Sequence, residues 1–170
     1  MGNLSSDGRR LALTVVDQQT LAEVAVGALP KNPTQSGSLK INKLTDFNQP
    51  LLDELQLAKG ESTWIESASG TKIHVWVMKP PGFKPGKKYP AVLEIHGGPH
   101  CQYGEAFFHE FQVLAAAGYV VVYSNPRGSK GYGEAHCAAI KGRWGHADWE
   151  DVQAVIRFMK EQPYINPKRM

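Results

Sequence analysis

At 170 residues, with 42% apolar and 21% charged residues, the chain sits in the range of ordinary folded proteins and outside the low-hydrophobicity, high-charge regime of disorder. Its net charge of +3 is small, and the basic residues Arg9, Arg10, Lys87, Lys88, Lys168 and Arg169 are scattered rather than gathered into a stripe, which argues against a nucleic-acid partner. There is no apolar run of about 18 residues to span a membrane, and the first 30 residues lack the basic start and apolar stretch of a secretory signal, so the cytoplasm is the expected compartment and no membrane partner is expected.

The chain opens with antiparallel β material. Residues 10–16 follow an Asp7-Gly8 turn signal and residues 21–26 follow the polar Asp17-Gln18-Gln19, so each stretch reads as a short strand. Residues 30–38 read as a Pro/Ser/Gly-bearing connection. A third strand is expected over 38–44, and a short helix over 49–57 begun by Pro50 in its first turn. Three strands alone bury no core.

From Glu61 the pattern changes. Residues 63–66 and 73–78 flank Ser69-Gly70-Thr71 as a hairpin, and residues 80–86 form a Pro/Gly-rich loop. Residues 91–95 and 119–123 are nearly continuous apolar runs, the signature of parallel strands buried on both faces. Between them Phe107, Phe108, Phe111, Leu114 and Ala115 recur at helical spacing and end at Gly118, which makes a β-α-β crossover. A second helix over 147–162 places Trp149, Val152, Val155, Ile156 and Met159 on one stripe. Its acids Asp148, Glu150 and Asp151 fall early and Arg157 and Lys160 late, as the helix dipole favours. Pro163 and Pro167 end it, and a further parallel strand is expected to begin at Lys168-Arg169-Met170.

The chemistry-bearing segment is Glu94-Ile95-His96-Gly97-Gly98-Pro99-His100, directly after a buried strand. Two glycines there let the backbone turn sharply with its N–H groups exposed. Acyl transfer needs such donors, aimed at the oxyanion of a tetrahedral intermediate. A tight turn without any ligand has the same local sequence.

Leu93-Glu94-Ile95-His96-Gly97-Gly98-Pro99-His100, followed by Asn125-Pro126-Arg127-Gly128-Ser129-Lys130-Gly131-Tyr132-Gly133 and by Trp144-Gly145 with Asp148 to Asp151, resembles the catalytic domain of the prolyl oligopeptidase family. Leu44-Thr45-Asp46-Phe47-Asn48 and Trp76-Val77-Met78-Lys79-Pro80-Pro81-Gly82-Phe83 are similar to that family's junction between a β-propeller and an α/β-hydrolase domain. The resemblance implies an α/β fold in three parts: residues 1–44 as the end of a propeller, its last blade; 45–60 as a hinge; and 61–170 as the N-terminal part of an α/β-hydrolase domain. It also implies a Ser-Asp-His triad, with a backbone N–H of the His96, Gly97, Gly98 loop helping to bind the oxyanion. Some branches carry a tyrosine where His96 stands. His96 is similar to the acylaminoacyl peptidase branch, which leaves the Gly97 or Gly98 N–H as the expected donor.

The triad itself is not expected within these residues. No G-x-S-x-G occurs. Arg127-Gly128-Ser129-Lys130-Gly131 lacks the first glycine, and the family places its nucleophile after a later strand, with the acid and the base following it in chain order. Ser129 is therefore read as structural, and His74, His96, His100, His109, His136 and His146 are not read as the base. Arg127 is read as a loop anchor, with a carboxylate-binding role as the alternative.

His109-Glu110-Phe111-Gln112-Val113 lacks the second histidine of a zinc-peptidase helix. His96 and His100 are separated by residues that forbid a helix, and Gly131-x-Gly133 lacks a third glycine. Cys101 and Cys137 sit in no metal-ligand or redox spacing and are read as ordinary thiols. No cofactor or metal is expected. The function implied by the resemblance is that of a serine peptidase cleaving short peptides through an acyl-enzyme, of which this chain is a piece that is inactive alone. A carboxylesterase of the same fold and a non-catalytic module on the same scaffold are the alternatives.

Overall fold

The computed structural model describes residues 2–30 and 39–170. They form two compact units, Met1–Gln56 with Glu105–Phe107 and Leu57–Gly104 with Phe108–Met170.

The first unit is an antiparallel meander of β1 (Gly2–Leu4), β2 (Arg10–Val15), β3 (Glu23–Ala28) and β4 (Lys40–Lys43), in the spatial order β1-β2-β3-β4. Its described residues form four strands, one more than the sequence suggests. β1 has only three residues, all exposed, and too few for an alternating pattern to register. Burial alternates along β3, with Glu23, Ala25 and Gly27 facing in. The strand expected over 21–26 is β3, Glu23–Ala28, paired along its whole length with β2. Most of the 30–38 connection falls outside the described residues. The expected helix over 49–57 is only α1, Gln49–Leu52. It buries no residue, and a single turn with no packed face does not propagate.

The second unit holds the sheet that carries the site. β5 (Gly60–Glu66) and β6 (Lys72–Met78) form the antiparallel hairpin, and β7 (Ala91–Glu94) pairs in parallel with β8 (Val120–Asn125), giving the order β5-β6-β8-β7. The β7-to-β8 connection passes through α2 (His109–Ala116), the expected crossover. Every residue of β8 is buried, because both faces are covered. On one face Val120 and Val122 pack with Ile73, Val75 and Val77 against Val155 and Met159 of α4 (Ala147–Glu161). On the other, Val121 and Tyr123 pack with Trp76 and Met78 against Phe111 and Ala115 of α2. Each such apolar side chain contributes about 1.5–3 kcal/mol on burial.

Two sequence expectations need correcting here. β7 is only half-buried at Val92, Leu93 and Glu94, because it stands at the end of the described sheet. Trp149 is 51% exposed; the buried face of α4 is Ala147, Asp151, Val152, Ala154, Val155 and Met159, turned away from Trp149 so that a carboxylate faces in. The sequence pattern also gives no hint of α3 (Glu134–Ala138), which buries none of its residues. Residues 164–169 run parallel beside the start of β7, through a bridge between Tyr89 and Ile165, with Tyr89 and Ala91 donating their N–H groups to the carbonyls of Tyr164 and Arg169.

Candidate active site

The loop of interest leaves the C-terminal end of β7, where parallel sheets place their ligand crevices. Gly98 has φ of +133°, a conformation that side chains rarely adopt. A Cβ there would lie 3.0 Å from the backbone nitrogens of His100 and Cys101. At Gly97 a Cβ meets nothing within 4 Å. Neither glycine's N–H makes a hydrogen bond among the described residues, so two adjacent donors remain open to a ligand.

The loop is stitched to the turn that follows β8. His96 Nε2 lies 2.9 Å from Ser129 Oγ, His100 Nδ1 lies 2.9 Å from the Gly128 carbonyl, and Lys130 N–H donates to the Cys101 carbonyl at 3.0 Å. Gly128, with φ of +100°, is required at this crossing, since a Cβ would come within 2.5 Å of Ile140 Cδ1. Its own N–H is held by the His136 carbonyl at 2.9 Å.

Proton bookkeeping limits what His96 and Ser129 can do. His96 Nδ1 is 2.9 Å from the Gly97 carbonyl, which only accepts, so Nδ1 carries a proton. Ser129 Oγ is 2.6 Å from the Pro126 carbonyl, to which His136 Nε2 also donates at 3.0 Å. The Ser129 hydroxyl therefore turns either toward Pro126 or toward His96. A serine beside a histidine is the geometry of an activated nucleophile. Ser129, however, is 0% exposed, and no substrate carbonyl can approach it. The pair holds the loop.

Arg127 extends from the same turn into α4. Its Nε and Nη2 fork onto Asp151 at 2.7–3.1 Å, its backbone N–H donates to Asp151 Oδ2 at 2.7 Å, and Nη2 also donates to the Ala147 carbonyl at 2.9 Å. Glu150 Oε2 is 3.1 Å away. The hydrogen bonds to Asp151, and then those to Glu150, raise the guanidinium further above its already high range. Every strong contact of Arg127 is internal, which assigns it to scaffold.

Behind the loop, Asn125 receives the Tyr103 N–H on Oδ1 at 2.8 Å and donates from Nδ2 to the Tyr103 carbonyl at 2.9 Å. Tyr103 meets His96 edge-on at 5.1 Å. Burial, with the negative charges of Glu94 and Glu110, pushes the Tyr103 phenol up to about 12. Burial and then Glu110 also raise the Glu94 carboxyl above its usual range. The side chains that hold the loop, Ser129 and Asn125, lie 33 and 22 residues along the chain from their partners, separations with no local sequence signal.

Among the described residues no helix is long and apolar enough to cross a membrane, and no group of three or more His, Cys, Asp or Glu side chains is placed to hold a metal ion. A mixed sheet with helices on both faces, a parallel β-α-β unit and a glycine loop at the strand's C-terminal end define an α/β-hydrolase-type scaffold, preceded by an antiparallel blade of the propeller kind.

The comparisons make this specific. The family model for the prolyl oligopeptidase family, peptidase S9, matches residues 105–170. The uncharacterized peptidase YuxL of Bacillus subtilis is 41% identical over 146 residues, 83% of this chain and 22% of its own length. Dipeptidyl-peptidase 5 of Porphyromonas gingivalis is 31% identical over 129 residues, 75% of this chain and 19% of its own. Among solved structures, the acylaminoacyl peptidase of Pyrococcus horikoshii superposes with a TM-score of 0.81 at 27% identity, covering 98% of this chain and 25% of that one. An acylaminoacyl peptidase in complex with Z-Gly-Gly-Phe-chloromethyl ketone gives 0.82 at the same identity and coverage. The chain belongs to the prolyl oligopeptidase family. It spans about a fifth of the length of these curated relatives.

Proposed function

We propose that this chain is the oxyanion-loop half of the catalytic domain of a serine peptidase that cleaves short peptides through an acyl-enzyme. The observation that carries this reading is the pair of unbonded N–H groups at Gly97 and Gly98, at the C-terminal end of a strand in a parallel pair. In acyl transfer the nucleophile's attack moves negative charge onto the carbonyl oxygen. Fixed N–H donors stabilise that charge without reorganising at the moment of reaction. Ser129, His100 and Lys130 supply the rigidity by tying the loop to the turn after β8. The capture of a related acylaminoacyl peptidase with a tripeptidyl chloromethyl ketone supports peptides as the substrate class.

On this reading the nucleophile, acid and base come from the rest of the whole protein, and these 170 residues alone hydrolyse nothing. A serine-directed fluorophosphonate tests it. The whole protein should be labelled at one serine outside these residues and should cleave peptide amides, while this chain should take up no label. A stable stoichiometric adduct on a serine of this chain overturns the reading. A whole protein that cleaves acyl esters but no peptide amide is a carboxylesterase instead, and one that takes up no label is a binding module.

A further inference from the structure

The chain has two cysteines, and the structure treats them differently. Cys101 is exposed and its sulfur has no hydrogen-bond partner among the described residues. Cys137, on α3, is half-buried, with Sγ 3.1 Å from Nδ1 of His100. That nitrogen is also 2.9 Å from the Gly128 carbonyl. A carbonyl accepts and never donates, so Nδ1 carries a proton, and the Cys137 sulfur shares the same N–H as a second acceptor. The pair lines a cleft of about 470 Å³ together with Pro99, Ala138, Glu134 and Lys141.

We propose that Cys137, and not the more exposed Cys101, is the reactive thiol of this chain, paired with His100 at an open cleft that admits small disulfides. Thiol–disulfide exchange needs a thiolate and room for three sulfurs in line. At Cys137 the donated N–H stabilises the charge that the sulfur acquires, and the cleft that Cys137 lines gives a ligand access to it. Cys101 has exposure without that donor. The thiol first loses its proton to solvent. The Cys137 sulfur then attacks one sulfur of a disulfide R–S–S–R, the S–S bond breaks, a Cys137–S–S–R bond forms, and RS⁻ leaves into the cleft.

The adduct has a structural consequence. It occupies the space beside His100 and competes with the contact that ties His100 to Gly128. Of the three bonds between residues 96–101 and 128–130, those at Ser129 and Lys130 would remain, so modification loosens the glycine loop without unfolding the sheet. The site is thus a thiol handle on that loop. It stands on the Cys137–His100 geometry alone and does not require the proposed peptidase activity.

The test uses this chain and the aromatic disulfide 5,5′-dithiobis(2-nitrobenzoate) at less than one equivalent, with peptide mapping of the product. The first adduct is expected on Cys137. In single-thiol variants, Cys101→Ser with Cys137 retained should react on the order of tenfold faster than Cys137→Ser with Cys101 retained. It should also react faster folded than in denaturant, a comparison that needs no second variant. His100→Phe keeps a ring but removes the N–H, and should lower the Cys137 rate to its value in denaturant. First labelling at Cys101, a Cys137 rate no higher folded than unfolded, or an unchanged rate in the folded His100→Phe chain would each overturn the proposal.

Discussion

Arg127 closes its guanidinium onto Asp151 from the side and accepts no help from solvent: Asp151 is 0% exposed and the Arg127 side chain 10%. The same carboxylate takes the Arg127 backbone N–H at 2.7 Å, so one acid on α4 holds both the start and the end of a residue in the turn after β8. Burying two charges is costly, but removing one partner is costlier, since it strands the other. Asp151→Ala should therefore destabilise the chain by about 3–5 kcal/mol. Arg127→Met with Asp151→Leu should lose much less than that single change. Urea unfolding of the three proteins checks the order. Arg127→Lys should fall between them, because a lysine cannot make the two-pronged contact.

Ser129 is the second fixed point of the turn. Its hydroxyl lies between the Pro126 carbonyl and His96 Nε2; the carbonyl keeps His136 Nε2 and the Ser129 N–H as donors, so Ser129→Ala strands only the ring nitrogen, at a cost of about 1 kcal/mol. The specific expectation concerns the loop. Amide exchange at Lys130, whose N–H is bonded to the Cys101 carbonyl, should speed up in Ser129→Ala while exchange along β8 is unchanged. Uniform acceleration across the second unit would mean that Ser129 serves packing alone.

In the first unit the sharpest electrostatic feature is Glu23. Its carboxylate accepts from the Thr45 hydroxyl, from the Asn48 backbone N–H at 2.9 Å and from Asn48 Nδ2 at 3.0 Å. These bonds, the Thr45 hydroxyl first, hold its pKa down to about 2 from an ordinary carboxylate value. A depressed folded-state value means that the unfolded chain binds the proton first, so the stabilisation is complete above about pH 4.5. It is lost as the pH falls toward 2. Glu150 is lowered in the same direction, by the Ser69 hydroxyl first and then by Arg127. Glu23→Gln should flatten the acid limb of the first unit's stability profile, followed by circular dichroism between about pH 5 and 2. An unaltered acid limb would show that the Glu23 bonds do not survive in solution.

The elements that could be read from the sequence are those in which burial imposes a period. β8 is a run of valines because both faces are covered, and α4 repeats Val152, Val155 and Met159 because one stripe faces the sheet. Where no face is buried, periodicity is silent. β1 and α3 leave no signal in the sequence, and α1 is shorter than its sequence suggests, for that reason. Trp149 misled because its spacing fits the stripe, whereas the face that turns inward carries Asp151 for Arg127. The loop at Gly97 and Gly98 was legible because a Gly-Gly-Pro after a strand is a local backbone requirement. The His96–Ser129 and His100–Cys137 contacts were not, because each joins loops that only the fold brings together.

The glycines also make the proposed oxyanion role separable from a merely structural one. Gly98, at φ of +133°, would place a Cβ 3.0 Å from two backbone nitrogens, whereas Gly97 has open space in that direction. A side chain at 98 must therefore move the backbone, and at 97 it need not. In the whole protein, Gly98→Ala should displace the donors from the developing oxyanion. Losing one such donor costs about 10²–10³ in kcat, roughly 3 kcal/mol of transition-state stabilisation. Gly97→Ala should keep most of the activity, because its N–H direction is unchanged. KM should shift little in either variant, since the donors are aimed at charge that appears only in the transition state. His96→Ala adds a third reading: a ring that only braces the loop through Ser129 gives a modest loss, and a ring that donates to the oxyanion gives a loss as large as that of Gly98→Ala. Steady-state kinetics on a peptide substrate, with folding checked by circular dichroism, decides among these outcomes. If folded Gly98→Ala retains a near-normal kcat, the loop is a structural turn and the donors lie elsewhere.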